Sequence, residues 1–243
     1  MTKDKDLNEV EYLAATERSI GMLHLSRHWR QEEDTWVYEV YIDGALLMSS
    51  ISPLSERELA TRAIAAHKGE GPLRILVGGL GLGHTAEAAL ESPRAGLVRV
   101  VDRMDFVIDW MKDGLLPLSK LLTEDPRVEF VQSDVYADML GDATETFDLI
   151  LMDVDHAPHM PLDPSSLPFY TPEGQKQVAR HLKPGGILAV WSAFENDNFT
   201  AVLKAGYEES WQEEVVWLVP HDDGNDQHLV NMLFFGRKAS EES

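Results

Sequence analysis

The chain has 243 residues, of which 44% are hydrophobic, 42 are acidic, 21 are basic and none is cysteine. The formal net charge of −21 disfavours nucleic acid and anionic membranes as partners and permits a cationic substrate such as an amine. Without cysteine, the chain has no disulfide, thiolate zinc site or cysteine nucleophile. Because no apolar run approaches the roughly 20 residues that span a bilayer, we expect a cytoplasmic protein with one catalytic domain.

Strands are the first elements that the sequence predicts. Alternating apolar residues within residues 21–50, around the turn Asp43-Gly44, predict a small β structure. The apolar spacing of residues 55–68 then predicts a helix. We therefore assign residues 1–54 to an N-terminal β appendage and residues 55–243 to a Rossmann-like catalytic domain.

Strand and helix signals alternate after residue 72, a pattern typical of a doubly wound parallel sheet. The predicted parallel strands are residues 74–77, 97–101, 128–132, 147–152 and 187–191. The predicted helices between them are residues 85–90, 105–112, 135–140 and 173–181. Residues 213–219 and 229–235 predict a closing antiparallel hairpin. The expected fold is α/β, with a Rossmann-like, mostly parallel seven-stranded sheet, a C-terminal hairpin and a small N-terminal β appendage.

A glycine-rich loop with Gly79, Gly81 and Gly83 separates the first parallel strand from the next helix. Such glycines let a ligand approach the backbone, and the helix start offers N–H groups to a carboxylate or phosphate. Asp102 ends the next strand, where a carboxylate can accept from ribose hydroxyls. The loop predicts a nucleoside or nucleotide cofactor. Because Gly81-x-Gly83-x-x-Ala86 also fits a dinucleotide site, a nicotinamide cofactor stays an alternative, as does a turn that serves packing alone.

Acidic residues also follow the third and fourth parallel strands. Asp134 can accept from an adenine amine or cap the helix that begins at residue 135. Asp153, Asp155 and His156 come directly after a hydrophobic strand, at the edge where open α/β sheets bind ligands. A carboxylate there can align an attacking amine and take its proton. Asp153 is our first candidate for this role, with Asp155 and His156 assisting.

We expect no metal site in this chain. Two groups of residues could be considered, one made of His156 and His159 and the other of Asp222, Asp223, Asp226 and His228. Neither group follows a recognised ligand spacing.

The order of these motifs resembles the spermidine synthase (polyamine aminopropyltransferase) family of class I S-adenosylmethionine-dependent transferases. The matching segments cover about 150 residues and are YIDG (41–44), ILVGG (75–79), Asp102, DPRV (125–128), SD (133–134), FDLILMD (147–153) and LKPGGIL (182–188). The resemblance implies a homodimer with an N-terminal β domain and a sulfonium nucleoside as cofactor. It further implies that Asp102 binds ribose, Asp134 lies near adenine and Asp153 helps deprotonate an amine.

The sequence departs from the family's pattern at three places. The family has an aspartate in the glycine loop that holds the amino end of decarboxylated S-adenosylmethionine, and Gly81 occupies the matching position. Residues 55–58, which read SERE, stand where the family has a tyrosine-glutamine pair. The family has two aspartates three residues apart after the fourth strand, whereas Asp153 is followed by Asp155 and His156.

Our leading hypothesis is therefore transfer of a methyl group from intact S-adenosylmethionine to a small amine or other nucleophile. Without the loop aspartate, the carboxylate of the intact donor is not repelled and can use backbone N–H groups. The alternatives are aminopropyl transfer from decarboxylated S-adenosylmethionine, a non-catalytic cofactor-binding subunit of a hetero-oligomer, and a nicotinamide oxidoreductase.

Overall fold

A computed structural model describes residues 10–31, 34–219 and 227–240 of the chain. A small antiparallel sheet comes first. Its four strands pair in sequence order and are β1 (Glu11–Arg18), β2 (Gly21–Arg30), β3 (Thr35–Ile42) and β4 (Ala45–Ser49). Asp43 and Gly44 join β3 to β4 with φ angles of 48° and 83°. Positive φ at both central residues matches the twist of a two-residue hairpin, which explains the Asp-Gly sequence.

A sheet of seven strands forms the centre of the molecule. In chain order these strands are β5 (Leu73–Gly78), β6 (Ala95–Asp102), β7 (Val128–Gln132), β8 (Phe147–Met152), β9 (Leu182–Ser192), β10 (Glu209–Val219) and β11 (Gln227–Arg237). Their spatial order is β10-β11-β9-β8-β5-β6-β7, in which β5 to β9 are parallel and β10 and β11 antiparallel. The carboxyl ends of the parallel strands therefore meet at one edge.

Helices cover both faces of this sheet. They are α1 (Leu54–Ala66), α2 (His84–Glu91), α3 (Asp105–Lys112), α4 (Ser119–Glu124), α5 (Val135–Leu140), α6 (Pro172–Val178) and α7 (Asp197–Gly206), with 3₁₀ helices at Pro164–Tyr170 and Ala179–His181. Successive residues of β8 point to opposite faces. Leu149 and Leu151 join the core beneath α1, α2 and α3, whereas Ile150 and Met152 join the core beneath α5, α6 and α7. The small sheet packs on the first core through residues such as Leu23.

The fold class predicted from the sequence is confirmed. A mostly parallel seven-stranded α/β sheet with an antiparallel C-terminal hairpin follows a small β sheet. The predicted strands at residues 128–132 and 147–152 have the observed bounds, and the predicted strand at 187–191 is the inner part of the longer β9. Within the described ranges, no helix combines the length and apolar character needed to cross a bilayer.

The sequence analysis did not predict β1, α4, α7 or the 3₁₀ helix at Pro164–Tyr170. β1 reads EYLAATER, and its glutamate and alanine residues have low strand propensity, so pairing with β2 decides its structure. α4 has only six residues, too few to show a helical period. The sequence does contain a start signal for α7, since asparagine is a preferred N-cap residue. Asn196 caps this helix by accepting from the N–H of Phe199.

Candidate active site

A cavity of about 510 Å³ opens at the carboxyl edge of the parallel strands, within the size range of small-molecule sites. The loops after β5, β6, β7 and β8 line it, together with β4 and the start of α1. All the predicted site residues lie on its wall, namely Gly79, Gly81, Gly83, Asp102, Asp134, Asp153, Asp155 and His156. Strand topology thus gathers residues that are far apart in the sequence.

The glycine loop presents its backbone to this cavity. Gly79 has a φ of +91°, and a Cβ there would lie 2.1 Å from the carbonyl oxygen of Asp153. Gly81 has a φ of +48°, but a Cβ there would meet nothing within 4 Å. Gly83 precedes α2 at the N-cap position, where no side chain caps the helix. The loop is therefore closely packed at Gly79 and open at Gly81, with N–H groups of the helix start available to a ligand.

Asp102 supports the loop from the end of β6. Its Oδ2 accepts from the N–H of Leu80 and its Oδ1 accepts from the N–H of Met104, each over 2.7 Å. Burial raises the pKa of Asp102, and these backbone donors oppose that rise. Because a carboxylate has about four acceptor positions, two bonds to the backbone leave room for ribose hydroxyls.

Asp134 caps a helix, which was one of the two roles open to it. Its Oδ1 accepts from the N–H groups of Tyr136 and Ala137 over 3.0 and 3.2 Å at the start of α5. Its Oδ2 lies 3.5 Å from a guanidinium nitrogen of Arg103, which also pairs with Asp163 at 3.1 Å. The cap is thus observed, and a contact between Asp134 and adenine stays a prediction.

Asp153 follows β8 and lies half-buried on the cavity wall. The hydroxyl of Thr85, in the first turn of α2, donates to its Oδ2 over 2.6 Å. Burial, followed by the nearby charge of Glu56, raises the pKa of Asp153 to about 7, and the Thr85 bond opposes this rise. Near neutral pH, Asp153 is therefore present in both its acidic and its basic form, as a proton-transfer group must be.

Glu56 is a cavity residue that our sequence analysis did not select. It lies in the first turn of α1, and Ser55 donates from its hydroxyl to Glu56 Oε2 over 2.8 Å. Burial raises the pKa of Glu56. Acidic residues are common in the first turn of helices, so the sequence gives no sign that this one faces a cavity.

Asp155 is buried and anchors the loop that follows β8. Its Oδ1 accepts from the N–H of Leu162 over 2.8 Å. Its Oδ2 accepts from the hydroxyls of Ser166 and Tyr170 over 2.8 and 3.0 Å. Three donors therefore hold this carboxylate, which suits a structural role in shaping the cavity wall.

His156 is exposed, unlike its neighbour Asp155. Its ring makes edge contacts with Trp191 and Phe194 at centroid distances of 6.3 and 6.1 Å. Its carbonyl oxygen accepts from the N–H of Ala193 over 2.9 Å. An assisting role for His156 at the cavity mouth stays a prediction.

Among residues 10–31, 34–219 and 227–240, no group of three or more histidine, aspartate or glutamate side chains is arranged to hold a metal ion. Asp222, Asp223 and Asp226, considered above as a possible group, lie outside the described residues.

Comparisons with known proteins bear on the fold. The sequence matches no protein-family model and no curated protein. A spermidine synthase solved with the transition-state analogue AdoDATO superposes with a TM-score of 0.67 at 16% identity, over 95% of this chain and 74% of that one. The spermidine synthase of Thermotoga maritima gives a TM-score of 0.66 at 15% identity, over 95% and 73%. A probable spermidine synthase from Corynebacterium glutamicum ATCC 13032 gives 0.63 at 19%, over 92% and 79%.

At these identities the comparisons establish the fold. The chain has the same fold as these spermidine synthases. The resemblance deduced from the sequence motifs is therefore confirmed at the level of the fold. Shared fold alone does not define a reaction, which must be argued from the residues in the cavity.

Proposed function

We propose that this protein transfers a methyl group from S-adenosylmethionine to a small amine. The observation that carries the proposal is the open space beside Gly81, at the position where the resembling family has a donor-binding aspartate. A carboxylate at this position would repel the carboxylate of intact S-adenosylmethionine. Its absence, together with the uncapped start of α2, suits a donor that keeps its amino-acid end.

The cavity fits such a donor in its chemistry as well as its size. The donor would lie against the backbone of the glycine loop at Gly79, Gly81 and Gly83. Asp102 would accept a hydrogen bond from the donor's ribose, because its bonds to the loop leave acceptor capacity unused. Asp134 would lie near the adenine. When bound, S-adenosylmethionine supplies an electrophilic methyl carbon attached to a positively charged sulfur.

Asp153 is the proposed base for the acceptor. An amine attacks through its lone pair, so its ammonium form must first lose a proton. With a pKa of about 7, Asp153 can take that proton at neutral pH, and Thr85 fixes the direction of the carboxylate. His156 would assist at the mouth of the cavity, whereas Asp155 would act by holding the loop. Alignment of the donor and the acceptor within the cavity would supply the rest of the catalysis.

Two measurements test this function. Calorimetric titration with intact and decarboxylated S-adenosylmethionine should show tighter binding of the intact donor. Mass spectrometry after incubation with a panel of small amines should then detect a methylated product. Tighter binding of the decarboxylated donor, or an aminopropyl product, would contradict methyl transfer.

Aminopropyl transfer is the second candidate, and one observation favours it. Glu56 adds a carboxylate to the cavity close enough to Asp153 to raise its pKa. A second acid can replace the missing loop aspartate as a partner for the amino group of decarboxylated S-adenosylmethionine. The named structural neighbours are spermidine synthases, which also agrees with this candidate.

The remaining alternatives have direct tests. A non-catalytic binding subunit predicts that Asp153→Asn leaves biological function intact and that no amine yields a product. A nicotinamide oxidoreductase predicts tight binding of NADH and none of the sulfonium donor in a fluorescence titration. The expected homodimer and the domain division after residue 54 are likewise proposals, which light scattering and limited proteolysis can test.

A further inference from the structure

Two carboxylic acids from different elements meet on the wall of the cavity. Glu56 comes from the first turn of α1 and Asp153 from the end of β8. Thr85 links them, because its hydroxyl lies 2.6 Å from Oδ2 of Asp153 and 3.4 Å from the backbone oxygen of Glu56. The two side chains are close enough for the charge of one to disfavour ionisation of the other.

Neither acid has a cationic partner among the described residues. On α1, Arg57 pairs with Glu87 and Glu91 at 2.5 and 2.7 Å. On α2, Nδ1 of His84 lies 3.5 Å from Glu87. Across the cavity, Arg103 pairs with Asp163 and Asp134, and in the loop after β8 Asp155 is held by its own three donors. The negative charge at Glu56 and Asp153 therefore remains uncompensated by the protein.

We propose that Glu56 is the second carboxylate of an alkylammonium site and that Glu56 and Asp153 together bind one protonated amine. The inference deepens the proposed function and rests on it. Like charges that share a half-buried site are stabilised by a bound cation, and hydrogen bonds between an ammonium and two carboxylates are strong. Ser55 and Thr85 hold the two acids in place for this task.

Proton release is a specific consequence of this arrangement. The raised pKa values of Glu56 and Asp153 mean that the pair retains a proton near neutral pH. When an ammonium binds, both carboxylates ionise and the retained proton leaves for solvent. The amine keeps its own proton at this stage, so charge and protons balance. If Glu56 had a purely structural role, Asp153 alone would release a proton, and Glu56→Gln would not reduce the amount released.

The ammonium can come from the amino end of the donor or from the acceptor amine. Calorimetry with the full chain separates these sources through four ligands. S-adenosylhomocysteine and decarboxylated S-adenosylmethionine carry the donor's amino group, 1,4-diaminobutane represents an acceptor, and methylthioadenosine has the nucleoside without an aliphatic amine. Each ligand is titrated at pH 7 in two buffers of different ionisation enthalpy, which gives the number of protons released.

Glu56→Gln is the test variant and Glu58→Gln is its matched control. Glu58 lies on the same helix but pairs with Arg62 at 2.6 Å. Glu56→Gln should weaken binding of at least one ammonium ligand by roughly thirtyfold, with less proton release, and leave methylthioadenosine within about twofold. Ser55→Ala, which removes the donor to Oε2, should cause a smaller loss in the same direction. The ligand that is weakened identifies the source of the ammonium.

Three results overturn the inference. The first is an equal affinity of Glu56→Gln and Glu58→Gln for every ammonium ligand. The second is a parallel loss of methylthioadenosine binding in Glu56→Gln, which would mean that Glu56 shapes the nucleoside pocket. The third is failure of every ammonium ligand to bind the wild-type chain. If methylthioadenosine still binds in that case, the cavity remains a nucleoside site and only the ammonium site is disproved. If methylthioadenosine does not bind either, the proposed function is contradicted as well.

Discussion

The hydroxyl of Thr85 donates to Oδ2 of Asp153 over 2.6 Å and so joins the first turn of α2 to the residue that follows β8. Both ends of the glycine loop are tied to these residues, because α2 begins where the loop ends and Gly79 packs against the backbone of Asp153. One side chain therefore couples the donor loop to the proposed base.

Thr85→Val tests this coupling. The bond from Thr85 favours the ionised form of Asp153, so its loss raises the pKa of the carboxyl above about 7. The acid limb of the pH profile of kcat/KM should then move to higher pH, and kcat/KM at pH 7 should fall by about three- to tenfold. Thr85→Ser keeps the hydroxyl and should keep the wild-type profile. An unchanged profile in Thr85→Val would show that Asp153 is not the titrating base.

The free energy of unfolding of Asp153→Asn, relative to that of the wild type, should increase as pH rises. The folded chain holds a proton on Asp153 up to a pKa of about 7, whereas the unfolded chain loses it near 3.8. Wild-type stability therefore decreases as pH rises through this window. Asparagine does not ionise, so its advantage should grow by roughly 2 kcal/mol between pH 5.5 and 8. Thermal unfolding at both pH values measures this, and a constant difference would contradict the raised pKa.

Gly79 and Gly81 should differ sharply in their tolerance of alanine. In Gly79→Ala the new Cβ would lie 2.1 Å from the carbonyl oxygen of Asp153, so the loop or the end of β8 must move. We expect a loss of at least about 3 kcal/mol in the free energy of unfolding. Gly81→Ala meets no neighbour within 4 Å and should cost only about 1 kcal/mol, from its positive φ. Urea unfolding of both variants gives the comparison, and equal costs would contradict the packing at Gly79.

Much of the cavity wall was predictable because its residues follow parallel strands. Asp102 and Asp153 come directly after buried apolar runs, and such strands end at one edge of the sheet. The sequence therefore predicts that the two carboxylates lie at the same edge of the sheet, but it does not predict the distance between them. The turn at Asp43-Gly44 was predictable for a similar local reason, since few residue types accept two successive positive φ angles.

The residues that the sequence did not reveal owe their positions to tertiary packing. Glu56 faces the cavity only because α1 packs on α2 and on the sheet. Thr85 lies 68 residues from its partner Asp153. The three donors to Asp155 come from an irregular loop and a 3₁₀ helix, where no hydrophobic period exists to read. Contacts of this kind depend on the whole fold.

Asp155→Asn should loosen the loop after β8. The amide of asparagine is uncharged, and its NH2 group cannot accept, so at least one of the donors Leu162, Ser166 and Tyr170 would lose its acceptor. We expect a loss of about 1 to 3 kcal/mol in the free energy of unfolding and faster proteolysis within residues 156–165. Tyr170→Phe removes a single donor and should cost less. Proteolysis at the wild-type rate in Asp155→Asn would contradict the anchoring role.

Gly81→Asp introduces the aspartate that the spermidine synthase family has in this loop. The variant should bind decarboxylated S-adenosylmethionine in preference to the intact donor. The new side chain enters open space, and aspartate accepts a φ of +48° better than most residues, so the fold should tolerate it. Its charge would repel the carboxylate of intact S-adenosylmethionine and attract the free ammonium of the decarboxylated form. We expect the ratio of the two Kd values to change by at least about tenfold in favour of the decarboxylated donor. Gly81→Asn has nearly the same shape without the charge, so it should leave the ratio close to that of the wild type. If both variants change the ratio equally, the cause is shape, and the electrostatic argument for an intact donor fails.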